Sequence, residues 1–152
     1  MDRFTSGQQV DRQGFALATT LLIIMVLTVI AVGATWLASS EKKTSYAEGV
    51  HISSVFSADA GGESAINFLR LSDGPPMIIN FADLTVRDQG ETAIQGSQSY
   101  DYQCQFMSKK PKPGWGIEYL DYDYQVTSRG QAHQQGQSAI QLVASRLFRE
   151  GY

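Results

Sequence analysis

The sequence predicts an α+β chain: a long N-terminal helix, membrane-spanning in its first half, packed on a small antiparallel sheet. Three observations carry this. Phe15–Ala38 runs about 24 residues without a charge. A helical period then continues to Leu71 with no proline or loop cluster to break it. After Pro76 the apolar period changes from about 3.6 residues to 2, which is the change from helix to strand.

The apolar stretch sets the organisation. A hydrocarbon core about 30 Å thick needs roughly 20 apolar residues in a helix. A secretory signal has a shorter apolar region ending at a small-residue site. Val32-Gly33-Ala34 offers such a site, but the run continues past it. A helix apolar all round is also unusual as the core of a domain this small. A retained membrane helix is the preferred reading. Its orientation is not set by charge, since Arg12 flanks one side and Lys42 and Lys43 the other, beside Glu41. Met1–Gly14 is a polar leader without an apolar face.

From Ser39 onward the chain turns amphipathic. Ile52, Val55, Phe56, Ile66 and Leu69 form a helical stripe expected to face a domain, and charged residues supply the remainder. One helix is expected from Phe15 to Leu71, about 85 Å long at 1.5 Å per residue. Gly61-Gly62 is its weak point, where a bend or local opening is expected. Ser72-Asp73-Gly74-Pro75-Pro76 stops it.

The rest reads as strands and turns. Met77–Val86 is a short strand or extended run, and polar Arg87–Ser99 is a loop. Tyr100–Phe106 alternates, with Tyr100, Tyr102, Cys104 and Phe106 on one face. Lys109–Gly114 is a turn. Ile117–Arg129 alternates again, with Leu120, Tyr122, Tyr124 and Val126 opposite Asp121, Asp123, Gln125 and Thr127. Gly130–Gly136 is a flexible connection. Ser138–Phe148 fits a helix through Ala139, Leu142, Val143 and Leu147, or a strand through Ile140, Leu142, Ala144 and Phe148. Its strand neighbours favour strand. The domains are therefore a leader (1–14), a membrane half-helix (15–40) and a globular region (41–152).

Composition narrows function. A net charge of −3 argues against nucleic acid as an obligatory partner. The single cysteine, Cys104, cannot form an intrachain disulfide and reads as a buried small hydrophobe. His51 and His133 have no metal-spaced partner, and no nucleophile or phosphate-binding motif occurs. No catalytic residue, cofactor or metal site is assigned. Asp101, Asp121 and Asp123 are clustered carboxylates of the type that can bind calcium, but no D-x-D-x-D-G loop occurs and a solvated strand face is the preferred reading. Lys109, Lys110, Lys112 and Trp115 form a basic turn with an aromatic, a candidate partner contact or a solvated turn whose Trp caps the sheet.

The junction Gln13-Gly14-Phe15 resembles the prepilin peptidase site of type IV pilins and type II secretion pseudopilins. The leader, the uninterrupted helix and the C-terminal sheet match that family's layout over nearly the whole chain. The resemblance implies cleavage after Gly14 and N-methylation of Phe15. Major pilins carry a Glu at the fifth residue of the mature chain, where this sequence has Thr19. The missing Glu is similar to PilX-type minor pilins and K-type minor pseudopilins, which are thought to sit at or near the filament tip. The wording RQGFALATTLLIIMVLTVIAVGA looks closest to PilX-type N-termini. A K-type pseudopilin usually has a larger globular domain than this length allows.

The resemblance implies a non-enzymatic minor pilin that takes part in initiation or tip assembly of a type IV pilus. The alternatives are a minor pseudopilin, or a single-pass membrane protein with a ligand-binding periplasmic domain. Thr19 would govern placement, with its hydroxyl free to bond a carbonyl one turn earlier. Leu21, Leu22, Ile24, Val26, Leu27 and Ile30 would pack against neighbouring helices. The implied partners are other minor pilins, the major pilin, the prepilin peptidase and the inner-membrane assembly platform. The implied location is the bacterial inner membrane, with the C-terminal domain periplasmic, and then the pilus.

Overall fold

A computed structural model describes residues 7–133 and 136–149, with side chains from Gly14 onward. Residues 1–6 of the leader, and 134–135 of the connection after Gly130, lie outside the described residues. The elements are one helix, α1 (Gly7–Leu71), and four strands: β1 (Thr85–Ala93), β2 (Gln98–Pro111), β3 (Tyr119–Ala132) and β4 (Gly136–Arg149). The strands form one antiparallel meander in the order β1-β2-β3-β4. The chain divides into two compact units, Met1–Tyr46 and Ala47–Tyr152.

The described part of the first unit, from Gly7 on, is helical. α1 begins at Gly7, earlier than the Phe15 start expected, so the end of the leader continues the helix backbone. The second unit holds the rest of α1 and the sheet. The helix ends at Leu71, at the Ser-Asp-Gly-Pro-Pro stop, and Ser72 donates its hydroxyl to the Phe68 carbonyl at 2.8 Å. The helix runs through Gly61-Gly62 without interruption, and both glycines lie where the sheet packs closely against it.

The core lies between the last turns of α1 and the sheet. Ala65 and Leu69 meet Tyr102, Cys104, Tyr122, Tyr124 and Val126. β3 alternates without interruption: Leu120, Tyr122, Tyr124, Val126 and Ser128 face the core, and the residues between them face outward. That part of the sequence reading holds, as does the strand reading of Ser138–Phe148.

The expected helix stripe does not face the core. Ile52, Val55, Phe56 and Ile66 are exposed; of the five, only Leu69 is buried. The buried positions are Ser54, Ser57, Ala58, Gly61, Gly62, Ala65 and Leu69, a helical spacing occupied mostly by small residues. The reason is close approach. A Cβ on Gly130 would fall onto the backbone of Ser54, Ser57 and Ala58, so sheet and helix backbones touch there. A Cβ on Gly61 would strike the Ser128 hydroxyl. Serines tie the seam together. Ser128 donates to the Ala58 carbonyl at 2.7 Å, Ser54 and Ser138 share a hydrogen bond at 2.7 Å, and Gln98 donates to Ser53 at 2.5 Å.

Further boundaries differ, and the Gly130–Gly136 connection is one, since β3 runs on to Ala132 and β4 starts at Gly136. Arg87–Ala93 is strand, not loop, and pairs with β2. Most of Met77–Val86 is irregular, and only Thr85 and Val86 belong to β1. β2 runs on to Pro111, so Lys109 and Lys110 are strand residues and the turn starts after them. A bulge at Met107 changes the phase of β2. Phe106 pairs with Tyr124 and Ser108 with Asp123, which brings Lys109 opposite Tyr122 on the core side.

Candidate functional site

The first candidate surface is the apolar segment. α1 contains a stretch long and apolar enough to cross a membrane, and its residues are exposed throughout. Leu21, Leu22, Ile24, Val26, Leu27 and Ile30 are 50–64% exposed. Gly14 and Phe15 lie within the helix, Phe15 73% exposed and Gly14 with open space around it.

In hydrocarbon every polar group needs an internal partner. The hydroxyls of this segment have them. Thr19 Oγ1 donates to the carbonyls of Phe15 and Ala16, both at 2.9 Å, as the sequence reading expected. Thr20 donates to Ala16, Thr28 to Met25 and Thr35 to Ala31. The threonines therefore present their methyl groups to the surroundings.

The second candidate, the basic turn, is not a free patch. Lys110 Nζ lies 2.9 Å from Asp123 Oδ2, and Lys112 Nζ lies 2.9 Å from Asp121 Oδ2. Lys109 sits 5.6 Å over the Tyr122 ring, and Trp115 stands edge-on to Tyr119 at 5.1 Å. Lysines, carboxylates and aromatics thus satisfy one another at one end of the sheet. Lys110 and Trp115 nonetheless stay largely exposed.

The same pairings account for the carboxylates. Asp123 accepts from Ser145 at 2.5 Å, Ser108 at 2.8 Å and Lys110 at 2.9 Å. These bonds, Ser145's first, hold its carboxyl down at about 2. A carboxylate held low in the folded state contributes stability that is present above its ordinary range and lost as pH falls toward 2. Among the described residues, no three His, Cys, Asp or Glu side chains converge on a point where a metal could sit.

Cys104 is fully buried, and desolvation pushes its thiol up to about 11, so it stays a protonated core residue. His51 and His133 are exposed. Burial likewise raises the Tyr124 phenol to about 12.

Two features escaped the sequence reading. One is the exposed stripe Ile52, Val55, Phe56 and Ile66, interleaved with Asp59 and Glu63. The other is a groove between the end of α1 and β4, lined by Ile66, Leu69, Arg70, Ala144, Ser145 and Arg146. The signal for the first was present: Ser54, Ala58, Gly61 and Ala65 repeat at three- and four-residue steps, a small-residue seam that turns the larger side chains outward. No sequence signal brings Arg70 and Arg146 together.

Comparison with protein-family models, with curated proteins and with solved structures gives no match.

Proposed function

We propose that this chain is a minor pilin that takes part in initiating or capping a type IV pilus. It would act by packing helices with other pilins rather than by catalysis. One observation carries the reading: Gly14-Phe15 opens a fully exposed apolar helical segment that leads without a break into a helix packed on an antiparallel meander. The exposed side chains from Leu21 to Ile30 supply van der Waals surface for association in lipid, where small gains in packing decide pairing. The internally bonded Thr19 asks nothing of a neighbour, whereas a buried Glu there would require one. On this reading the protein waits in the bacterial inner membrane, its sheet domain periplasmic, until the assembly platform extracts it into the filament.

The test is co-expression with and without a prepilin peptidase, followed by intact mass and N-terminal sequencing. A peptidase-dependent start at Phe15, with or without an added methyl, is the expected result. An uncleaved Met1 or a cut near Ala34 would overturn the proposal and leave a membrane anchor or a secreted domain.

A further inference from the structure

The groove beside β4 is electrostatically unfinished. It has a volume of about 250 Å³ and is lined by the apolar Ile66, Leu69 and Ala144 together with Ser145, Arg70 and Arg146. Among the described residues its lining holds no carboxylate, and Glu63 lines the adjoining pocket with Ile66 and Arg70. Arg146 faces the helix side of the sheet, opposite Tyr122, with its guanidinium 4.7 Å over the Phe148 ring. Among the described residues its Nη1 is buried without a hydrogen-bond acceptor, as the Tyr124 hydroxyl is without a partner. Arg70 makes no ion pair among the described residues. A buried guanidinium nitrogen without an acceptor is costly, and a carboxylate is the group that best answers a pair of arginines.

The exposed face of α1 carries the complementary chemistry. Asp59 and Glu63 stand four residues apart on one side of the helix, flanked by Ile52, Phe56 and Ile66. Neither carboxylate has an ion-pair partner among the described residues. Two carboxylates one turn apart among apolar side chains match two guanidiniums in a partly apolar groove.

We infer that the Arg70–Arg146 groove is a docking site for the Asp59–Glu63 face of a second copy of this chain. The two surfaces share Ile66, and Arg70 lines one pocket with Glu63, so they adjoin on one face of the molecule and the contact is isologous, each copy offering its arginines to the other's carboxylates. The desolvated charge pairs fix register, and the apolar lining and the Ile52–Ile66 stripe supply the buried area. This contact does not depend on cleavage after Gly14.

Two differently tagged full-length copies, co-expressed in membranes, test it. One carries Ala144→Cys in the groove and the other Glu63→Cys on the helix. A short bis-maleimide reads proximity, and the buried native Cys104 serves as background. The expected result is a mixed-tag dimer. Arg70→Glu in the groove copy should lower its yield at least about fivefold, and adding Asp59→Arg to the helix copy should restore it. Arg70 is chosen because it is exposed on the helix, so reversing it leaves the core intact. The inference is overturned by absence of the mixed dimer, by a yield indifferent to charge reversal, or by capture of a different chain in place of the second copy. Failure of cleavage at Phe15 alongside a charge-dependent dimer would sink the pilin reading and leave this contact standing.

Discussion

The two faces of α1 between Ala47 and Leu71 are built on opposite principles. The face against the sheet is made largely of Ser, Ala and Gly; the face away from it carries Ile52, Val55, Phe56 and Ile66. If transfer from water alone decided orientation, the helix would be turned the other way round, since each large apolar side chain gains about 1.5–3 kcal/mol on burial. What decides it is distance. Small side chains let the helix backbone approach the sheet at Gly130, and the hydrophobic payload comes from the sheet's own tyrosines and from Leu69. The large residues left outside then form a stripe interleaved with carboxylates, suited to a partner rather than to the core.

The hardest way to break this arrangement is at Gly130. A Cβ there meets helix backbone, which cannot move aside as a flexible side chain can. Gly130→Ala should lift α1 from the sheet and cost about 3 kcal/mol or more, at the upper end of overpacking penalties. Denaturant unfolding of the detergent-solubilised protein, followed by tyrosine and tryptophan fluorescence, measures it. A loss below about 0.5 kcal/mol would mean that helix and sheet are not in backbone contact.

A gentler probe of the same seam is Ser128→Ala. The hydroxyl donates to the Ala58 carbonyl at 2.7 Å and to the Asp101 carbonyl at 3.2 Å, so it bonds both to the helix and to β2. Removing it keeps the volume nearly constant and deletes the donor, with an expected cost of about 1 kcal/mol. The same unfolding measurement at unchanged m-value checks it. No loss would mean that proximity alone, without the serine bonds, holds the seam.

How far the sequence could be read follows from the same physics. β3 was legible because burial on one side only imprints a period of 2 on Leu120 through Val126. The end of the helix was legible because Gly74, Pro75 and Pro76 can stop it and nothing before them does, whereas its start at Gly7 lies in polar sequence that carries no apolar period. Its facing was not legible, since a hydrophobic stripe marks the core only when the core is the sole apolar partner available. β1 was hidden because an edge strand needs few apolar residues, and Arg87–Ala93 has charges and a glycine in place of alternation. The basic turn misled because one bulged residue, Met107, reverses which lysine faces which side. The lysines of the patch pair with carboxylates, Lys110 with Asp123 and Lys112 with Asp121, which the one-dimensional spacing did not show.

The smallest expected effect is the most pointed test of the comparison. Phe56 is 67% exposed on the outward face, and Phe and Ser have similar helix propensities. Phe56→Ser should therefore change folding stability by no more than about 0.5 kcal/mol. The same apolar ring exchanged inside a core would cost several times that. Its effect should fall instead on association. In the mixed-tag crosslinking experiment, Phe56→Ser on the helix copy removes the ring nearest Asp59 and should reduce the dimer while unfolding stays as in the parent. A large loss of stability would show that Phe56 has a partner within its own chain and that the outward face is part of the fold. Unchanged stability with a weaker dimer would assign the two faces of one helix to two different tasks.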